Sequence, residues 1–323
     1  MGTFSEAWAA KELPEHMKHP LTIHVGLPKC GSSSMQQGLW NLIPELDFVG
    51  PDFAGLTGEQ IINRVLTLEE LQYRQGHEEI ALEAGQRFCG KRTTLISNER
   101  LTQGPASFPT LVPFGDRARI AHRLKELFPE ARILLVLRNQ FPLLMSLFGE
   151  RLKGPHVAHH SFGQWFALQK ANQARGMGSF FDVGDYYPLF SIYRELFGPE
   201  NIKTVLFEEF VESPEEFHRN TLAFMGLEWE HCKQFWRPTH ENSRVSHLEL
   251  VLQKLMWRFP RGRELVPRNI RRSVGRTSRK FLAIRPTYTD DQTSFLTGVF
   301  AEGNAHLALE TGLPLERHGY PLA

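Results

Sequence analysis

Cysteine is scarce in this chain of 323 residues: Cys30, Cys89 and Cys232 are odd in number, widely separated and never spaced as C-x-x-C. That excludes a disulfide framework and a cysteine-based zinc site, and it points to a reducing compartment. Long apolar runs are missing as well. No stretch approaches the ~18 apolar residues of a membrane-spanning helix. The start, Met1-Gly2-Thr3-Phe4-Ser5-Glu6, lacks the apolar core of a signal peptide and has Glu6 where a myristoylation signal needs Ser or Thr. The expectation is a cytoplasmic protein. Nor is there an excess of one charge: 37 Lys and Arg against 36 Asp and Glu leave +1, which argues against general nucleic-acid binding. With 41% hydrophobic and 23% charged residues, the chain reads as an ordinary globular protein, long enough to bury a substantial core.

What the sequence does have is alternation. Short apolar, β-branched segments at Leu21–Val25, Thr93–Ser97, Arg132–Leu137 and Lys203–Phe207 are separated by helical patterns, as in a parallel sheet covered on both faces. Helices are expected at Ser32–Ile43, Gly58–Tyr73, Glu78–Cys89 and Asp116–Phe128, the last with Asp116 as N-cap and Ile120, Leu124 and Leu127 on one stripe. Further helices are expected at Phe141–Leu152, Phe162–Arg175, Pro188–Phe197 and Pro214–Met225, the last closed by Gly226. The final third reads as mostly helical, with Ser246–Phe259 and Asp290–Glu310 its clearest segments. No repeat, low-complexity tract or linker divides the chain. The expectation is one α/β domain over 1–323, a core at 21–323 behind a short extension at 1–20. Its architecture would be a P-loop-like parallel β-sheet flanked by helices on both faces, with a mostly helical C-terminal portion.

The first strand runs into Gly26-Leu27-Pro28-Lys29-Cys30-Gly31-Ser32-Ser33-Ser34 and then into a helix. Backbone N–H groups at a helix start, the helix dipole and three hydroxyls make a cradle for an oxyanion. Gly26 and Gly31 keep the glycine spacing of G-x-x-x-x-G-K-[ST], but Ser32 stands in the lysine slot and Lys29 lies inside the loop. A lysine there faces the anion from the front, whereas a P-loop lysine reaches back to β and γ phosphates, so the anion need not be a triphosphate.

A nucleotide triphosphatase also needs an acidic magnesium ligand at the end of a neighbouring strand. Ile133-Leu134-Leu135-Val136-Leu137 instead ends in Arg138-Asn139. A guanidinium offers a planar fork of donors suited to phosphate. Eight residues later Ser146 falls in the following helix, within reach of the same anion.

The loop Pro28-Lys29-x-Gly31-Ser32-Ser33, with Arg138 and Ser146 eight apart after a core strand, resembles the sulfotransferases that use 3′-phosphoadenosine 5′-phosphosulfate. Softer likenesses are Val205-Leu206-Phe207-Glu208-Glu209-Phe210 with Pro214 and Phe224-Met225-Gly226-Leu227, and the ending around Asn304, Leu307 and Gly319-Tyr320-Pro321, similar to bacterial members. Together they cover the chain from Leu21 onward. The resemblance implies that Lys29 neutralises the bridging oxygen as adenosine 3′,5′-bisphosphate departs. It implies that Gly31, Ser32, Ser33 and Ser34 hold the 5′-phosphate, that Arg138 and Ser146 hold the 3′-phosphate, and that Lys29 and Cys30 belong to the same cofactor-binding loop. No metal is implied.

The family places a His or Glu just beyond a core strand as base; Leu95-Ile96-Ser97-Asn98-Glu99 supplies Glu99, like the carbohydrate sulfotransferases. Its competing role is a salt bridge, for example to Arg100. His156, His159 and His160 form an H-x-x-H-H cluster without a nearby acidic or thiol group to complete a metal shell, which reads as a solvated loop near the acceptor. Cys30 at a helix start is a candidate redox-sensitive thiol. A basic run at 258–280, with nine Arg and Lys against Glu264, is a solvated face or a surface for an anionic acceptor or a membrane. Within it Gly275-Arg276 matches the family's late 3′-phosphate contact, making Arg276 a cofactor-binding candidate. The partners expected are a small-molecule or glycan acceptor and no nucleic acid. The alternatives are a magnesium-dependent P-loop kinase and a non-catalytic anion-binding protein.

Overall fold

Five strands hydrogen-bond into one sheet: β1 (Leu21–Val25), β2 (Leu46–Val49), β3 (Thr93–Asn98), β4 (Arg132–Leu137) and β5 (Ile202–Leu206). Their order is β2-β3-β1-β4-β5 and every pairing is parallel. The computed structural model describes residues 20–50, 55–88, 92–103, 116–151, 161–238 and 287–322. All of β3 is buried, as are β1 and β4 beyond their first residues. Successive strand residues face opposite sides, so both faces of the sheet are covered.

The covering helices follow the chain between strands. α1 (Ser32–Gly38) leaves β1; α2 (Gly55–Thr67) and α3 (Glu70–Phe88) join β2 to β3; α4 (Arg100–Gln103) and α5 (Arg117–Leu127) precede β4. α6 (Gln140–Arg151), α7 (Phe162–Ala174) and α8 (Tyr186–Phe197) lie between β4 and β5. After β5 come α9 (Phe207–Glu212), α10 (Pro214–Met225), α11 (Trp229–Cys232) and α12 (Asp290–Thr311). A parallel sheet flanked by helices is the architecture expected from the sequence. The expected segment Ser246–Phe259 lies outside the described residues.

Three local expectations fail for physical reasons. The helix expected over Gly58–Tyr73 breaks at Leu68 and Glu69. Buried Arg123 of α5 donates to the Val65 and Leu68 carbonyls at 2.9 Å each and to the Glu70 carboxylate at 2.8 Å. Its guanidinium also lies 4.0 Å from the Tyr73 ring centre, and Glu69 accepts from the Leu71 N–H at 3.0 Å, capping the new helix. Asp116 does occupy the N-cap position of α5, but its carboxylate takes Arg119 at 2.7 Å instead of a backbone N–H. The four-residue β2 has no long apolar run to announce it; it is an edge strand fixed by pairing to β3.

The C-terminal portion is tied to the sheet through buried amides. Thr289 and Gln292 form a reciprocal capping box at the start of α12, and Gly312 ends it with φ 69°. From the middle of α12, Asn304 accepts from Gln140 at 2.7 Å and donates to the Pro321 carbonyl at 2.8 Å. Gln140 is the first residue of α6, so this pairing fixes the helix that leaves the functional edge of the sheet. Among the described residues, no helix is long and apolar enough to cross a membrane.

Candidate functional site

The loop after β1 is built on two left-handed residues. Lys29 has φ 66° and Gly31 has φ 83°, and a lysine in this region is uncommon because its Cβ crowds the backbone. At Gly31 the need for glycine is double: a Cβ there would also stand 2.7 Å from the Phe207 ring. The hydrogen-bond ladder of α1 starts with the Met35 N–H on the Gly31 carbonyl at 3.1 Å. Ser32 is buried, Ser34 half-buried and Ser33 exposed at this helix start.

Arg138, the residue after β4, holds the loop from the side. Its guanidinium donates to the Lys29 carbonyl at 2.7 Å and lies 4.7 Å from the centre of the Phe207 ring. Phe207 opens α9, so one ring packs against both the Gly31 turn and the arginine. Arg138 Nε is buried and has no partner among the described residues. That leaves one charge-assisted donor unused beside the loop. The Arg138 backbone is fixed in turn, its carbonyl accepting from the Tyr186 hydroxyl at 2.5 Å. Next to it, Glu208 accepts from the Asn139 N–H at 2.9 Å and from the Tyr320 hydroxyl at 3.1 Å.

Glu99 follows β3 and approaches the loop from the opposite side. A point where Gly26 would carry a Cβ lies 3.3 Å from each of Glu99 Cγ, His24 Cε1 and Ser32 Oγ, so these groups converge on the glycine. Burial pushes the Glu99 carboxyl up from its ordinary range, Lys29 and the Ser32 hydroxyl draw it back down, and Glu150 adds to the rise. Arg100 does not neutralise it, since that guanidinium donates to Asn63 at 3.0 Å. The Thr102 hydroxyl lies 2.7 Å from the Gly26 carbonyl and 3.1 Å from the Glu99 carbonyl, tying the two turns together. Beneath them His24 and Gln36 both bond Ser97 Oγ, at 2.7 and 2.8 Å. Burial drops the His24 pKa to about 3, so its imidazole is neutral.

The structure thus brings Lys29, Gly31, Ser32, Glu99 and Arg138 to the carboxyl edge of β1, β3 and β4, where ligands bind in open α/β sheets. Ser146 is half-buried on α6, one turn before Glu150, whose carboxylate accepts from Lys29 Nζ at 2.8 Å. The redox reading of Cys30 is corrected. Its side chain is fully buried, the Sγ turned to the Pro28 carbonyl at 3.7 Å, and burial raises rather than lowers its thiol pKa. Arg276, the run 258–280 and the histidines at 156, 159 and 160 lie outside the described residues. The sequence reading missed Glu150, Thr102, Phe207 and Tyr186. Only Glu150 left a signal, its four-residue spacing from Ser146.

Residues 117–231, which include Arg138, Ser146 and Glu150, match the family model described as "Sulfotransferase family". Over those residues the chain is similar to the sulfotransferase family. The fold agrees with that of a sulfotransferase from Alicyclobacillus acidocaldarius, at 19% identity and a TM-score of 0.53 over 93% of this chain and 98% of that one. A mouse sulfotransferase, SULT7A1, solved in complex with PAP, aligns at 13% identity and a TM-score of 0.42, over 91% of this chain and 87% of that one. Comparison with curated proteins finds no match. The family model lies wholly downstream of the glycine turn. In this sulfotransferase fold the loop residues therefore rest on the geometry described above and on their own sequence pattern.

Proposed function

We propose that the protein transfers a sulfuryl group from 3′-phosphoadenosine 5′-phosphosulfate to the hydroxyl of a carbohydrate or another small-molecule or lipid alcohol. The observation that carries this reading is the convergence of Lys29 from the loop and Arg138 from the β4 end, joined at 2.7 Å. Two cations from different strands suit a ligand with two separated anionic groups better than one terminal phosphate chain. The unused Arg138 Nε donor and the left-handed glycine turn fit the same ligand.

The reaction is an in-line displacement at sulfur. The acceptor oxygen bonds to sulfur, Glu99 takes the acceptor's proton, and the bond from sulfur to the bridging oxygen breaks. Lys29 neutralises the charge left on that oxygen as adenosine 3′,5′-bisphosphate departs with the electron pair. Gly31, Ser32, Ser33 and Ser34 hold the 5′-phosphate; Arg138 and Ser146 hold the 3′-phosphate. Burial raises the Glu99 pKa, and a carboxylate with a raised pKa is a stronger base than an ordinary glutamate. The sulfuryl group carries less negative charge than a phosphoryl group, so two side-chain cations and backbone donors suffice to balance it.

Thermal unfolding with ligands tests this. Adenosine 3′,5′-bisphosphate at ~100 times its Kd should add about 2.7 kcal/mol of stability. Stabilisation by Mg-ATP alone would instead favour a P-loop kinase.

A further inference from the structure

Lys29 is already engaged before any donor arrives. Its ammonium donates to Glu150 at 2.8 Å, with the lysine side chain 23% exposed and the glutamate 45% exposed. Two features of this pair call for a reason beyond stability. Ion pairs this exposed contribute little to stability. Glu150 also sits in the last turn of α6, where the helix dipole is negative and disfavours a carboxylate. The same ammonium already faces Glu99, whose pKa registers both Lys29 and Glu150. One cation therefore serves two carboxylates at the point where an anion is to bind.

We propose that Glu150 is the resident counter-ion of Lys29, exchanged for the donor's phosphate on binding and restored when the bisphosphate leaves. This rests on the phosphosulfate reading of the site. Glu150 acts through Lys29 and is a positioning residue. In the free protein it holds the long lysine side chain, on its strained left-handed backbone, at the mouth of the loop. In the complex it stands beside a phosphate of like charge and lowers its affinity. The exchange favours release of a product that carries two phosphates.

The test pairs two measurements on Glu150→Gln and Glu150→Asp, each checked for an unchanged melting temperature. The first is the rate of acylation of Lys29 by an amine-directed reagent, followed by mass spectrometry without nucleotide. The second is calorimetric titration with adenosine 3′,5′-bisphosphate at low and high salt. Glu150→Gln should raise Lys29 acylation severalfold and tighten bisphosphate binding about threefold to fivefold, the gain shrinking with salt. Glu150→Asp, with the charge kept on a shorter arm, should fall between it and the parent. Unchanged acylation, or unchanged or weaker binding in a folded Glu150→Gln protein, overturns the proposal. If no form binds the bisphosphate, the donor reading fails, and acylation still decides whether Glu150 holds Lys29.

Discussion

The Arg138 guanidinium donates to the main-chain carbonyl of Lys29 at 2.7 Å, so the end of β4 holds the loop after β1 at its left-handed lysine. Arg138 therefore shapes the loop as well as offering charge. Arg138→Lys keeps the charge but cannot span both the carbonyl and a phosphate with a planar fork. We expect bisphosphate affinity to fall about 10- to 100-fold, the range of ~1.5–3 kcal/mol for a charged hydrogen bond. Isothermal calorimetry on the variant checks this.

Lys29→Ala removes the cation proposed to face the breaking bond and leaves the main-chain carbonyl in place for Arg138. We expect transfer to fall by about 10²–10³-fold or more, the scale of losing one transition-state donor. The melting temperature should stay close to the parent's, because the side chain's ion pair is exposed. Single-turnover rates and thermal unfolding separate the two effects.

Glu99→Gln keeps size and hydrogen-bonding capacity but cannot accept the proton. Turnover should fall by roughly 10²–10⁴-fold while bisphosphate affinity changes little. The sign of the pH dependence follows from the raised pKa. Burial favours the neutral acid, so the parent loses its base on acidification at a higher pH than an ordinary glutamate at ~4.3 would. A pH profile of kcat/KM should show that acidic limb, absent from the residual activity of Glu99→Gln.

His24 sets a limit on acid stability. Its folded pKa is about 3 against the usual 6.5, so the unfolded chain binds a proton that the folded one refuses. Stability from this residue is present above pH 6.5 and is lost as pH falls toward 3. His24→Gln, which keeps a partner for Ser97, should flatten that part of the stability curve in urea titrations between pH 7 and 4.

The sequence carried the fold wherever burial imposed a simple pattern. Arg132–Leu137 forms as read, because a strand buried on both faces is a near-continuous apolar run, and Leu21–Val25 forms as read with buried Thr22 and His24 set between its apolar residues. The edge strand Leu46–Val49 has half of its environment set by its neighbour and gave no such run. The break at Leu68 depends on Arg123, more than fifty residues away, which a local pattern cannot contain. The site divides in the same way. Lys29, Gly31 and Arg138 announce themselves through chemistry fixed by spacing, and Glu99 follows a strand end. Phe207, Thr102 and Tyr186 act through contacts across the sheet edge and have no periodicity of their own. Cys30 misled because a helix start lowers a thiol pKa only where the thiol meets the open end, and here it is turned into the core.

Calorimetric titration of the protein with adenosine 3′,5′-bisphosphate, run beside Mg-ATP, is the most direct test of sulfuryl transfer at this edge. Saturable one-to-one binding of the bisphosphate, unchanged when magnesium is removed and weakened in Arg138→Lys, is the expected result. Binding of Mg-ATP with no response to the bisphosphate would contradict it.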